Sequence, residues 1–326
     1  MTTADNLAAL GTLIDEAAAF LRDKVRRTPV EFSPGLSQFL GAPVWLKLES
    51  MQLTGSFKIR GALFRISKLT AEERRDGVIT CSAGNHGKAV AYAAQEAGVR
   101  ATICVPRSVD RSKYDGMIGL GAEVLVSEFD GYDDTEEWAR AVAAERKLTF
   151  LSAFDDYAVM AANGGTMAIE CLEDAPDARY FVIPVGGGGL GAGFAYAVKQ
   201  RQPDATIFCC QHALSPALWM SIEAGHAITK LPAVETMAGG IEGGIGALTF
   251  GVLGERIDAV AFVSEDEILE GVRWMLEHHQ YLIEPTAAVT IAACRMGRFG
   301  IDAPAVVVIS GRNVSVDAAQ KILCGV

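Results

Sequence analysis

The stretch YFVIPVGGGGLGAGFAYAV, residues 180–198, runs from an apolar strand through four consecutive glycines, Gly186 to Gly189, and straight into a helix. Glycines let backbone N–H groups close on an anion, and the helix N-terminus adds its partial positive charge. The stretch therefore reads as a phosphate cradle at the C-terminal end of a buried strand. A purely structural turn needs no such run, whose conformational entropy is lost on folding. The same glycines satisfy G-x-G-x-x-G through Gly186, Gly188 and Gly191, the mark of a dinucleotide site. That reading wants an acidic residue about twenty positions on to hold a ribose. ATIFCCQH (205–212) puts Gln211 and His212 there instead. A nicotinamide-dependent oxidoreductase is thus a weaker alternative.

Outward from the glycines the chain alternates. GVITCSA (77–83) reads as a strand and HGKAVAYAAQEAG (86–98) as a helix stopped by glycine. RATICVP (100–106), RSKYDGMIGLG (111–121), AEVLVSE (122–128) and DDTEEWARAVAAERK (133–147) continue as strand, helix, strand and helix. A second series opens with LTFLSAF (148–154) and a helix around 165–172, passes through the glycine stretch and ATIFCCQ, and closes with AVVVIS (305–310). Within it, AFVSEDEILEGVRWMLEHH (261–279) carries a strand and a helix. Before all of these come a helix over 6–27, ended by Pro29, and a strand at VWLKLE (44–49). Short apolar strands between amphipathic helices predict an α/β protein with two doubly wound, mainly parallel sheets. The expected division is a large domain of residues 1–69 and 151–326 and a small one of 70–150.

Composition narrows the partners. Of 326 residues, 50% are hydrophobic and 21% charged, ordinary for a well-packed soluble protein. A net charge of -11 argues against nucleic acid or an anionic membrane as partner. The 7 cysteines lack CxxC spacing and two are adjacent, which reads as reduced thiols and a cytoplasmic location. No basic leader with an apolar run opens the chain, and no stretch reaches membrane-spanning length.

Three further stretches could carry chemistry. LTGSFKIRGA (53–62) sets Lys58 between Phe57 and Ile59 with small residues around them. This is either an ordinary helix lysine or an amine held partly desolvated so that it can attack a carbonyl. TCSAGNHGKAV (80–90) places Ser82, Ala83, Gly84, Asn85 and His86 where a strand turns into a helix, which suits a carboxylate or a plain N-cap. VVVISGRNVS (306–315) ends a buried strand in Ser310, at the edge where parallel sheets bind ligands, or where a turn simply begins. LIEPTAAV (282–289) adds Glu284 as a candidate buried carboxylate. A lysine, a phosphate cradle, an anion site and a strand-end hydroxyl together are what pyridoxal 5'-phosphate requires.

In their order, RRTPV, SFKIRGA, SAGNHG, GGGGLGAG, IEPTAAV and the serine-glycine strand end resemble the fold type II pyridoxal phosphate enzymes. The resemblance is to the threonine and serine dehydratases and serine racemase, and it spans nearly the whole chain. It implies a tryptophan synthase β-like fold with the cofactor between a large and a small domain. It makes Lys58 the Schiff-base lysine, sets Phe57 beside the ring and Asn85 at its 3-hydroxyl. Gly186, Gly187, Gly188, Gly189 and Leu190 would hold the phosphate and Ser310 would meet the ring nitrogen, with Glu284 also counted among the cofactor's neighbours. Ser82 to His86 would take the substrate carboxylate.

The activity implied is β-elimination, the dehydration and deamination of a small β-hydroxy L-amino acid such as threonine or serine. Alternatives are a dehydratase-like enzyme of hydroxyectoine use and an amino-acid racemase. A homodimer is expected. Several positions depart from the family pattern. Ala83 stands where the racemases want a second serine, Arg312 where a glycine is usual, and Gly239 where an aspartate is common. LSAFDD (151–156) lacks a histidine-proline pair. Gln211 and Ala217 replace the acidic residues of a divalent-cation site in some relatives, so no metal is expected.

Overall fold

A computed structural model of the protein describes residues 3–324. Its larger sheet contains β1 (Val30–Phe32), β2 (Val44–Leu48), β7 (Tyr180–Pro184), β8 (Thr206–His212), β9 (Ala259–Val263) and β10 (Ala305–Ile309). They lie in the order β1-β2-β10-β7-β8-β9, parallel throughout except for the antiparallel β1–β2 pair. The smaller sheet contains β3 (Val78–Cys81), β4 (Ala101–Val105), β5 (Glu123–Val126) and β6 (Thr149–Phe150). It is fully parallel, in the order β5-β4-β3-β6. Every residue of β3, β4 and β10 is buried, as strands covered by helices on both faces must be. Two doubly wound, mainly parallel sheets are what the alternating pattern predicts.

Two boundaries differ from that pattern. LTFLSAF forms only the short β6, and it pairs with β3 in the register Val78↔Thr149 and Ile79↔Phe150. It therefore closes the first series of strands instead of opening the second. Nothing in a two-residue strand announces which sheet it joins. The N-terminal helix spans Thr3–Leu21 and stops short of Pro29, closing in a turn where the Lys24 and Val25 N–H groups both bond the Leu21 carbonyl. By contrast, the strand and helix within 261–279 divide where expected. Ser264 and Glu267 make a capping box that starts the helix Glu265–His279.

The helix Lys58–Ser67 fills the core of the smaller sheet with Ile59, Ala62, Phe64 and Ile66. A buried ionic cluster anchors it. The Arg60 guanidinium donates to Glu49 at 2.7 Å and 2.9 Å and to Glu170 at 2.7 Å and 2.8 Å. Lys47 Nζ reaches Glu170 at 2.5 Å and the Thr28 carbonyl at 2.9 Å. Two cations against two carboxylates leave no net charge inside, and removing one partner typically costs about 3–5 kcal/mol. Burial alone would raise the Glu49 carboxyl, but Arg60 and Lys47 hold it below its ordinary value. The helix that begins with Lys58 is thus clamped to the strand β2 that precedes it.

The C-terminal ends of β3, β7 and β10 lead directly into Ser82, the glycine run and Ser310 respectively. Among the described residues no helix is long and apolar enough to cross a membrane.

Candidate active site

Lys58 opens its helix, and the preceding Phe57 donates its backbone N–H to the Ser310 carbonyl at 3.2 Å. That bond ties the amine to the end of β10. Lys58 Nζ donates to the Ala153 carbonyl at 2.8 Å and lies 5.2 Å from the Phe57 ring centroid. Burial pushes the ammonium down to about 8, with the Glu284 charge opposing the fall. An amine so placed is partly unprotonated near neutral pH, the state in which it attacks a carbonyl.

The glycine run is shaped by close neighbours. A Cβ on Gly186 would lie 2.7 Å from the Gly240 carbonyl oxygen, and one on Gly187 2.4 Å from the Phe154 ring. Gly188 adopts φ +90°, which L side chains rarely accept. The helix Gly189–Arg201 starts here with no side-chain cap, so its first N–H groups are left for an anion. Leu190 is buried in that first turn.

Ser310 is 1% exposed and its Oγ has no hydrogen-bond partner. Ser56 Oγ and both ring nitrogens of His86 are likewise buried and unpartnered. Burial, aided by the Lys58 charge, drives the His86 imidazole down to about 3, so it is neutral. Orphaned polar atoms in a native interior call for an explanation. A ring nitrogen beside Ser310 and a phosphate on the glycine amides supply one, and the residues present fit pyridoxal phosphate.

Asn85, the first residue of the helix Asn85–Ala97, donates Nδ2 to Glu284 Oε1 at 2.6 Å. Burial pushes the Glu284 carboxyl up to about 7, offset in part by Asn85 and by Lys113 and Lys58. In the 82–86 turn, Gly84 donates to Ser82 Oγ at 3.2 Å, and a Cβ on Gly84 would meet open space. Thus the structure brings Phe57, Lys58, Asn85, Glu284 and Ser310 into one contiguous set, with the 82–86 turn attached through Asn85.

Sequence reasoning missed two members. The Ala153 carbonyl is backbone and leaves no side-chain signal. Asn313 bonds Asn85 and Lys88, and its position three residues after Ser310 could have flagged it. Two of the departures have clear local roles. Asp155 accepts from Leu248 and Thr249 N–H, while Asp156 caps the helix Tyr157–Met160 and pairs with Arg65 at 2.7 Å. Gln211 bridges the Val185 carbonyl and the Trp219 N–H. Arg312 is exposed.

Residues 21–311 match the family model described as "Pyridoxal-phosphate dependent enzyme". An L-threonine ammonia-lyase of Thermotoga maritima is 36% identical over 95% of this chain and 77% of its own. A serine racemase of Rattus norvegicus is 34% identical over 95% and 94%. Among solved structures, the processed form of threonine deaminase isoform 2 from Solanum lycopersicum superposes with a TM-score of 0.89 at 30% identity. That superposition covers 98% of this chain and 93% of the other.

Proposed function

We propose, from the premise that this chain belongs to the pyridoxal-phosphate dependent enzymes, that it eliminates water and ammonia from a small β-hydroxy L-amino acid, threonine or serine. The observation that carries this reading is the buried, unpartnered Ser310 hydroxyl at the end of β10. A neutral hydroxyl does not keep a pyridine nitrogen protonated as a carboxylate would, which favours prompt loss of a β-substituent over transamination. The bound cofactor supplies the electron sink for a carbanion at Cα.

The chain's residues do the rest. Lys58 would anchor the cofactor and serve as the base that takes the Cα proton. The amides of Gly186 to Leu190 would hold the phosphate, Phe57 would flank the ring, and Asn85 would face its 3-oxygen. Glu284 orients Asn85 from behind. The turn from Ser82 to His86, with Ala83 and Gly84 between them, binds the substrate carboxylate and so fixes Cα against Lys58. The β-hydroxyl leaves as water, and the released enamine hydrolyses to a 2-oxo acid and ammonia. We place the protein in the cytoplasm as a homodimer. We divide it into residues 1–69 with 151–326 and a smaller unit of 70–150.

The test is release of a 2-oxo acid from the purified, cofactor-loaded protein across a panel of L- and D-amino acids. L-threonine or L-serine should be turned over. A protein that carries the cofactor yet yields no 2-oxo acid from any β-hydroxy amino acid overturns the proposal.

A further inference from the structure

Asn313 follows Ser310 by three positions and sits in a chain of side-chain hydrogen bonds whose polarity can be read from its ends. At one end, Lys88 Nζ donates to Asn313 Oδ1 at 3.2 Å. An ammonium only donates, so this edge of the Asn313 amide must be its oxygen. On the other edge, Asn313 Nδ2 donates to the Thr54 carbonyl at 2.9 Å. A carbonyl only accepts, so this edge must be the nitrogen. The two ends agree, and the amide has one orientation.

That orientation propagates. The second proton of Asn313 Nδ2 goes to Asn85 Oδ1 at 2.6 Å. With its oxygen taken, Asn85 turns Nδ2 toward Glu284 Oε1 at 2.6 Å. One of the two Nδ2 protons is spent on Glu284, and one remains for the cleft. Lys88 and Asn85 lie three apart on one helix and so share a face. The backbone is cut to admit the chain. A Cβ on Gly55, which has φ +81°, would lie 2.6 Å from Asn313 Oδ1. One on Gly311 would lie 2.3 Å from Glu284 Oε1.

We propose that Asn313, oriented by Lys88, is a positioning residue that locks the Asn85 amide with its N–H edge toward the cofactor's 3-oxygen. The inference rests on the reading that Asn85 faces that oxygen. Without the lock, only Glu284 holds the Asn85 amide against rotation, and a rotated amide would set Oδ1 against the cofactor's oxygen. Asn313 bonds Lys88, the Thr54 carbonyl and Asn85, and its effect passes through Asn85.

The experiment uses the full chain and measures the cofactor dissociation constant and the visible absorption band of the bound cofactor for four variants. Asn313→Asp inverts the lock, since a carboxylate cannot donate to Asn85 Oδ1. It should weaken cofactor binding about tenfold or more, the usual effect of losing a hydrogen bond to a charged group, and shift the band. Lys88→Met should weaken binding by a smaller factor, and Lys88→Arg, which still donates, should restore it. Thermal melting of the cofactor-free proteins checks that each variant folds. Should Asn313→Asp not fold, the Lys88 pair decides the matter. Asn85→Ala separates the two claims. If it shifts the band while Asn313→Asp and Lys88→Met leave band and affinity unchanged, the lock is wrong. If Asn85→Ala itself changes neither, the reading of Asn85 fails, and the lock with it.

Discussion

Asn163 Oδ1 accepts the backbone N–H of Gly61 at 2.8 Å, joining the helix that carries Lys58 to a five-residue π-helical segment, Ala161–Gly165. The next residue, Gly164, meets the helix that begins at the glycine run. A Cβ on Gly164 would lie 1.9 Å from the Leu190 carbonyl oxygen, and one on Gly193 would lie 1.9 Å from the Met160 carbonyl oxygen. One irregular turn therefore holds both the amine's helix and the phosphate loop's helix. Such π-bulges recur at functional sites.

From that contact follows a test on a residue that reaches no ligand. Gly164→Ala should destabilise the protein by about 3 kcal/mol or more, since backbone on both sides has nowhere to shift. At this chain length that loss corresponds to a fall in Tm of very roughly 5 °C or more. Because Leu190 is displaced, cofactor affinity should fall as well. A melting curve and a cofactor titration check it, and an alanine tolerated in both would mean the two helices are not tightly coupled there.

Opposite pH trends are expected from the two charged groups of the cleft in the cofactor-free protein. Lys58 is lowered from 10.5 to about 8, so between those values the unfolded chain binds more protons and stability rises with pH. Glu284 is raised from 4.5 to about 7, so between those values the folded chain binds more protons and stability falls as pH rises. Lys58→Met should therefore stabilise the cofactor-free protein below pH 8, with the gain fading toward pH 10.5. Glu284→Gln should be near neutral at pH 4.5 and stabilising above pH 7. Lys58→Met should also lose nearly all turnover, as both the anchor and the Cα base disappear. Denaturant midpoints across pH read the first two effects directly. A flat difference between either variant and the parent protein would mean the group keeps its ordinary pKa.

Chelation should leave Tm and turnover unchanged. Gln211 spends its amide on the Val185 carbonyl and the Trp219 N–H, and Ala217 offers only a methyl. Hard cations need charged or multiple oxygen ligands. The nearby His212 pairs with Glu265 at 3.1 Å, and Glu265 also accepts from Thr236 Oγ1 and the Met237 N–H. Its oxygens are thus engaged in pinning the segment that leads to Gly240. A cation-specific loss of Tm on chelation would reveal a site elsewhere.

Much of this was legible in advance for physical reasons. Apolar runs such as AVVVI announce buried parallel strands, and four glycines in a row serve little purpose except a close approach of backbone. Lys58 stood out by its neighbours, and the family resemblance supplied the rest of the set. What stayed hidden depends on contacts distant in sequence. The Ala153 carbonyl, the Arg60 cluster and the Asn313 chain are each made by residues whose types are common anywhere. β6, too, gives no sign of its sheet, because a two-residue strand takes its place from tertiary pairing and not from its own pattern.

The remaining prediction concerns the face of Cα opposite Lys58. Racemisation needs a proton removed on one face and returned on the other, and a tethered lysine serves only one. The resemblance puts a serine hydroxyl of the 82–86 turn on the second face, and Ala83 leaves a methyl there. Two neighbours could compete for the role. Ser82 Oγ already accepts from the Gly84 N–H, which turns it into the loop, and His86, lowered to about 3, holds no extra proton near neutral pH. A positioned acid–base group contributes about 10²–10⁴ in rate, so its absence should suppress racemisation by that factor and spare elimination. The expected outcome is elimination of the L-isomer with negligible D-isomer formed, and measurable racemisation gained in Ala83→Ser. Chiral chromatography of the residual amino acid reads both. Substantial D-isomer from the unaltered enzyme would place the second acid–base group on another residue, with His86 the first to test by His86→Gln.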